Sequence, residues 1–433
     1  MRGIAKLMNN WQFAKPGEAA VAVDLPHTWN AKDGQDGGND YWRGTCTYTT
    51  TFDAPAFDKA TQQVWLQFEG VNASAKVTLN GIEICCHDNG YATFRAEITG
   101  LLQAQNALVV EVDNSVNDHV YPQKADFTFY GGIYRDVSLL TVNRDHIALG
   151  HCGDTGVKIT PAVKTGCADI TVETRVEGKG SVEVELLDAS GRQAAKASGE
   201  KAVLTIQNPH LWNGVKDPYL YTCVVRLMQD GQPVDEVTTK VGIRSFSVDA
   251  KKGFFLNGKP YPLHGVSRHQ DRKGLGNAIT REMHEEDMNL IRELGVNTVR
   301  LAHYQHDQYF YDLCDQYGMV VWAEIPYISE HLPNGRENTI SQMKELIYQN
   351  YNHPCIVCWG VSNEITISTK DKADMLDNHH VLNDLCHKMD PTRLTTLACY
   401  AMCGPFNPVA HITDLVSWNL YLGWYVPGLF LND

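Results

Sequence analysis

Residues 297–324, NTVRLAHYQHDQYFYDLCDQYGMVVWAE, decide the fold. A short β-branched run (VNTVRLAH) gives way to a helical pattern (DQYFYDLCDQYG) that stops at Gly318. A second apolar run (MVVWAEIP) follows at once. Strand, helix and strand joined this tightly require a crossover connection, so the two strands are expected to lie parallel. The alternation continues on both sides. Upstream lie the strand YPLHGV and the helix TREMHEEDMNLIRELG, with Thr280 as expected N-cap and Gly295 as closing residue. Downstream come the helix NTISQMKELIYQNYN, the strand CIVCWGVS, the helix KADMLDNHHVLNDLCHKM and the strands LTTLAC and LVSWNLY. Six β elements in βα alternation fit either a doubly wound sheet or a (β/α)8 barrel. Neither GxGxxG nor GxxxxGK[ST] occurs to cradle a phosphate. The barrel is therefore the expected fold of residues 248–433.

The preceding residues are written differently. Over 1–141, short alternating runs such as QVWLQFEG, AKVTLNGIEI and NALVVEVDN are separated by Gly, Asn and Asp turns, with Asn80-Gly81 as a hairpin signal. This is the pattern of a β jelly-roll sandwich. Residues 142–247 predict about seven more strands, the size of an immunoglobulin-like β-sandwich, without the Cys–Trp–Cys pattern of an antibody domain.

Composition narrows the class. Lys+Arg 37 against Asp+Glu 51 gives a net charge of −14, which disfavours nucleic acid and anionic membrane as partners. No run reaches the ~18 apolar residues of a membrane span, and the start MRGIAKLMNNWQF offers no secretory h-region, so a cytoplasmic enzyme is the expectation. The 12 cysteines are expected to be reduced. The single CxxC, Cys355–Cys358, lies in a β-type run and reads as buried thiols rather than a zinc knuckle.

In a barrel, chemistry collects where strands end. The first strand ends with His264, Arg268, His269 and Asp271 nearby, and the second with Arg300 and His303. The third ends in Glu324, the fourth in Asn363-Glu364, and the sixth in Trp418, Asn419 and Tyr421. Taken singly, such residues are ordinary turn formers; on five of six strands they suggest one site. Carboxylate, amide, Arg, His and aromatic groups suit an uncharged polyhydroxylated ligand. Glycoside hydrolysis needs two carboxylates, one of them a proton donor. Glu364 is the best donor candidate, because the apolar run behind it would raise its pKa.

These segments resemble glycoside hydrolase family 2, its β-galactosidases most closely. The likeness rests on DLPHTWNAKDGQDGGNDYWRG (24–44), DFTFYGGIYRDVSLL (126–140), NPHLWNGVKDPYLYT (208–222), the stretch 297–324 and WGVSNE (359–364). It covers essentially the whole chain, with Gln305 departing from a common Pro. The resemblance implies a jelly roll, an immunoglobulin-like sandwich and a (β/α)8 TIM barrel. It implies Glu364 as acid/base, Asn363 as the amide holding the sugar's 2-hydroxyl, and Arg300 as the residue positioning the nucleophile. It further implies His303 and His269 as substrate-binding histidines and Tyr421 as a tyrosine bonding the nucleophile. Asp126 would be the first domain's contact to the sugar, with Asn39 in a similar part. Magnesium or sodium ions are the cofactors it leaves open, with Glu324, Glu330 and His331 available but poorly spaced. Oligomerisation is left open too, a homo-oligomer included.

The family's nucleophile lies on the seventh strand, and only six strands are present. The expectation is a fragment of a β-galactosidase, inactive as it stands and incomplete by two βα units. A β-glucuronidase of the same family and a non-catalytic carbohydrate-binding protein are the alternatives.

Overall fold

The computed structural model describes residues 2–33 and 41–421; the expected contact at Asn39 lies outside them. The first domain packs a six-stranded antiparallel sheet on a four-stranded one. Its longest strands, Thr45–Asp53 and Gln105–Asp113, pair along nine residues and bury every second side chain against a core that includes Trp11, Tyr48, Leu66 and Phe68. Asn80 and Gly81 both take positive φ in the two-residue turn between Ser74–Leu79 and Ile82–His87, as that hairpin demands.

The second domain has seven longer strands in a three-stranded and a four-stranded sheet, from Val157–Lys164 to Gln232–Val241. Its core is aliphatic: Val172, Val184, Leu204, Val225 and Leu227 among others. Trp212 leaves that sandwich and enters the core of the third domain, where its indole donates to the Asp315 carbonyl at 2.9 Å.

The third domain is a parallel sheet of six strands in sequential order. They are β1 (Gly265–Arg268), β2 (Thr298–Leu301), β3 (Val320–Glu324), β4 (Ile356–Asn363), β5 (Leu394–Tyr400) and β6 (Leu415–Asn419). The helices α1 (Arg281–Glu293), α2 (Gln308–Tyr317), α3 (Arg336–Asn350) and α4 (Lys372–Met389) cover the outer face. Asp307 caps α2 through Tyr309 N at 2.8 Å, and Gly318 ends it in the left-handed region. All eight residues of β4 are buried, which explains its unbroken apolar reading. The hairpin Phe246–Leu256 closes the bottom of the sheet, and Phe246 and Phe254 line a cavity of about 510 Å³ inside the partial barrel with Trp322 and Trp418.

Three expectations need correction. The β5–β6 connection holds no α-helix, only two short 3-10 turns, Ala401–Cys403 and Pro408–His411; its Gly404-Pro405 pair and Pro408 interrupt any longer helix. His264 precedes β1 rather than following it, so it stands exposed at the opposite end of the sheet. Arg268 points outward, where Asp287 of α1 accepts from Nη2 at 2.6 Å.

Candidate active site

At the C-terminal ends of β2, β3, β4 and β6, one hydrogen-bonded network gathers most of the expected residues. Its centre is the Arg300 guanidinium from β2. Nε donates to Glu324 Oε2 at 3.1 Å and Nη2 to Glu324 Oε1 at 3.0 Å, a bidentate pair. The same Nη2 reaches Asn363 Oδ1 at 2.8 Å, and Nη1 reaches Asn419 Oδ1 at 3.2 Å. The Trp322 ring lies 4.2 Å from the guanidinium carbon.

Glu324 is fully buried. Burial alone would raise its pKa, but the Arg300 charge and a hydrogen bond from His303 outweigh it and hold the carboxyl below its ordinary value. His303 Nδ1 lies 2.7 Å from Glu324 Oε1. With Glu324 ionised, Nδ1 carries the proton of this hydrogen bond, which leaves Nε2 as the ring atom to meet a ligand.

Asn363 and Glu364 are chain neighbours, and in a regular strand their side chains would point to opposite faces. Two local features bring both to one place. Between Gly360↔Thr396 and Asn363↔Ala398, β4 advances one residue more than β5, a bulge that re-aims the strand end. Glu364 then takes φ +51°, a left-handed conformation costing ~1–2 kcal/mol for a residue with a Cβ. As a result, the Asn419 amide donates to Asn363 Oδ1 at 3.0 Å and to Glu364 Oε1 at 2.8 Å. Asn363 Oδ1 thus accepts from both Arg300 and Asn419, so its NH2 end faces away from these partners, as a donor for a hydroxyl. Glu364 is half-buried at the mouth.

The first domain supplies one wall. Phe127 lies with its ring centroid 4.9 Å from His269 and 5.8 Å from His303, stacked on the latter. His269 Nδ1 contacts the Tyr304 hydroxyl at 3.3 Å. Burial, reinforced by neighbouring His303, lowers its pKa to about 4, so it is neutral near pH 7. Asp126 is exposed beside Phe127, close enough for its charge to act on His269. Arg135, from the YGGIYR segment, clamps this domain on the barrel by donating to the Tyr91 carbonyl at 2.6 Å and the Gln305 carbonyl at 3.0 Å. The Gln305 backbone therefore serves whatever its side chain.

Of the expected residues, Arg300, His303, Asn363 and Glu364 meet in one network; His269 and Asp126 stand on its rim. Tyr421 lies just past β6, 39% exposed. The cation site suggested for Glu324, Glu330 and His331 is not assembled. Both Glu324 oxygens are taken by Arg300 and His303, and His331 is held between the Tyr327 hydroxyl and Asp374, each at 2.6 Å. Sequence reading missed Phe127 as a site residue and the bridging role of Asn419. The aromatic run after Asp126 was the one available signal for the former.

Comparison with known proteins agrees with this architecture. Residues 247–432 match the description "Glycosyl hydrolases family 2, TIM barrel domain", residues 153–244 "Glycosyl hydrolases family 2", and residues 30–149 "Glycosyl hydrolase 2 galactose-binding domain-like". A β-glucuronidase of Bacteroides fragilis is 39% identical over 453 residues, covering 97% of this chain and 64% of the relative. A β-galactosidase of Thermoanaerobacter pseudethanolicus is 30% identical over 354 residues, covering 77% of this chain and 46% of that protein. The crystal structure of an FMN-binding β-glucuronidase from Facaelibacterium prausnitzii L2-6 superposes with a TM-score of 0.94 at 41% identity, covering 98% of this chain and 68% of that one. The chain spans 64% and 50% of the lengths of the first two curated relatives it matches.

Proposed function

Because the chain belongs to glycosyl hydrolases family 2, we propose that the whole protein hydrolyses terminal β-glycosides with retention, and that Glu364 is its acid/base. The observation that supports this most is the shared grip of Asn419 on Asn363 and Glu364, which sets a hydroxyl-binding amide beside a half-buried carboxyl. In this reading Glu364 protonates the leaving oxygen and then deprotonates water, while Asn363 and His303 Nε2 hold ring hydroxyls. Phe127 covers one face of the sugar.

A retaining mechanism needs a second carboxylate ~5–5.5 Å from the first. Glu324 is unsuited to attack, being buried and bound through both oxygens. The nucleophile is therefore assigned to polypeptide beyond β6, in keeping with the greater length of the relatives.

For the sugar we infer a β-glucuronide. The relatives named β-glucuronidase reach 39% and 41% identity, against 30% for the Thermoanaerobacter β-galactosidase and 35% for a Bacteroides fragilis structure that carries the β-galactosidase name. Arg300 is engaged by Glu324 and so is committed within the site rather than to a uronate carboxylate. A β-galactoside is the second reading, favoured by the exposed Asp126 at the rim, whose charge opposes a uronate. Rates of the full-length protein on matched aryl β-glucuronide and β-galactoside decide between them. A kcat/KM ratio favouring the galactoside would overturn the first reading.

A further inference from the structure

At the opposite end of the barrel a second cluster of reactive side chains stands outside the site just described. Asp315 comes from the last turns of α2, and His353 and Cys355 from the segment leading into β4. Their ligand atoms (a carboxylate oxygen, an imidazole nitrogen and a sulfur) all lie within 4.8 Å of one another. His353 Nδ1 is 2.6 Å from Asp315 Oδ2, and the Cys355 backbone N–H donates to Asp315 Oδ1 at 3.0 Å. His353 Nε2 reaches Gln308 Oε1 at 3.4 Å, the outer carbonyl contact that orients a metal-binding imidazole. Cys355 is fully buried and unpaired with any other cysteine. Access exists all the same: Asp315 and His353 line a cleft of about 690 Å³ between the barrel and the second domain, which Asp312 and Lys240 also border.

We propose that Asp315, His353 and Cys355 form a binding site for a zinc-class divalent ion. Sulfur, imidazole and carboxylate together are the donor set borderline-soft ions select, and three protein ligands leave a fourth position facing the cleft. Bonds of ~2.0–2.3 Å at tetrahedral angles place donor atoms roughly 3.3–3.7 Å apart. The His353–Asp315 pair must therefore open by less than about 1 Å to admit the ion. Binding forms one bond each to sulfur, nitrogen and oxygen. It releases two protons to solvent, one from the Cys355 thiol and one from the His353–Asp315 bridge, and no electron moves. Asp315 also accepts the Trp212 indole through its carbonyl, so an ion here would fasten the second domain to the barrel. The Cys355–Cys358 pair is not involved as a pair; Cys358 lines the barrel cavity instead.

The test uses the untagged 433-residue chain, stripped with a chelator and titrated with cobalt(II) and then zinc. Expected are one cobalt per chain, a thiolate-to-cobalt charge-transfer band in the near ultraviolet, displacement by one zinc, and two protons released. Cys355→Ser should abolish that band and weaken binding at least about 100-fold, while Cys358→Ser leaves both unchanged. If Cys355→Ser fails to fold, His353→Gln takes its place, with cobalt binding expected to weaken at least about 10-fold. No stoichiometric binding after stripping, or a band that survives Cys355→Ser, overturns the proposal. Neither readout depends on glycosidase activity.

Discussion

Glu364 holds a left-handed backbone at the end of a fully buried strand, and Asn419 from β6 binds its carboxylate there. Removing that amide tests how far the geometry depends on it. Asn419→Ala deletes its hydrogen bonds to Glu364, Asn363 and the Arg300 guanidinium, a bond to a charged group being worth ~1.5–3 kcal/mol. In the full-length protein kcat/KM is expected to fall roughly 10–100-fold; an unchanged value would show that Glu364 needs no such holder. The Arg300–Glu324 pair answers to a different measurement. Glu324 is fully buried and the Arg300 side chain is 12% exposed, so Glu324→Ala leaves a mostly desolvated guanidinium without its carboxylate and should cost ~3–5 kcal/mol in urea unfolding. A loss below ~1 kcal/mol would mean that water replaces the carboxylate. Among these residues Asn363-Glu364 and Arg300 were legible in the sequence, since each follows an apolar run. The pairing of Arg300 with Glu324 was not, because it joins two strands whose relative rotation no local pattern encodes.

Strand β4 owes its function to its bulge and to one glycine. A Cβ on Gly360 would stand 2.4 Å from Trp322 Nε1 and 2.5 Å from Glu324 Cβ on β3. Gly360→Ala is therefore expected to destabilise by ~1–3 kcal/mol and to disturb the Arg300–Glu324 pair; an urea midpoint matching the parent would contradict it. At the scale of elements the sequence was most informative where period and capping agreed, as in α4, whose bounds Lys372–Met389 coincide with the expected helix. It failed in two ways. Periodicity located β1 but not its last residue, so His264 was placed at the wrong end of the sheet. Alternation carried one unit too far led to the expectation of strict βα order, where the β5–β6 connection has only 3-10 turns. The bulge itself left no sequence mark, because inserting one buried residue does not disturb an apolar run.

Over the whole molecule the three domains act as one support for the site. Phe127 and Arg135 both reach the barrel from the first domain, more than 130 residues away in sequence from their partners, which is why neither contact was foreseen. Stability should fall with acid. Burial depresses His27, His269 and His379 to about 4, from an ordinary 6.5. Each then binds a proton more readily unfolded than folded, so its contribution is complete above pH 6.5 and declines as pH drops towards 4. Glu69 acts in the opposite sense: burial, with Asp307 and Asp136 nearby, raises it to about 7, which favours the fold as pH falls from 7 to 4.5. Three histidines against one glutamate predict a net loss, readable as a urea midpoint that declines between pH 6.5 and 4; a flat profile would contradict the burial of these rings. The central claim concerns catalysis, and one measurement bears on it directly. The full-length protein and its Glu364→Gln variant are compared on an alkyl β-glucuronide, whose poor leaving group needs a proton, with and without azide. Loss of ~10²–10⁴-fold in kcat, with azide restoring turnover of an activated aryl substrate as the β-glycosyl azide, is the expected result. A Glu364→Gln variant that keeps the parent's rate on the alkyl substrate would contradict the assignment.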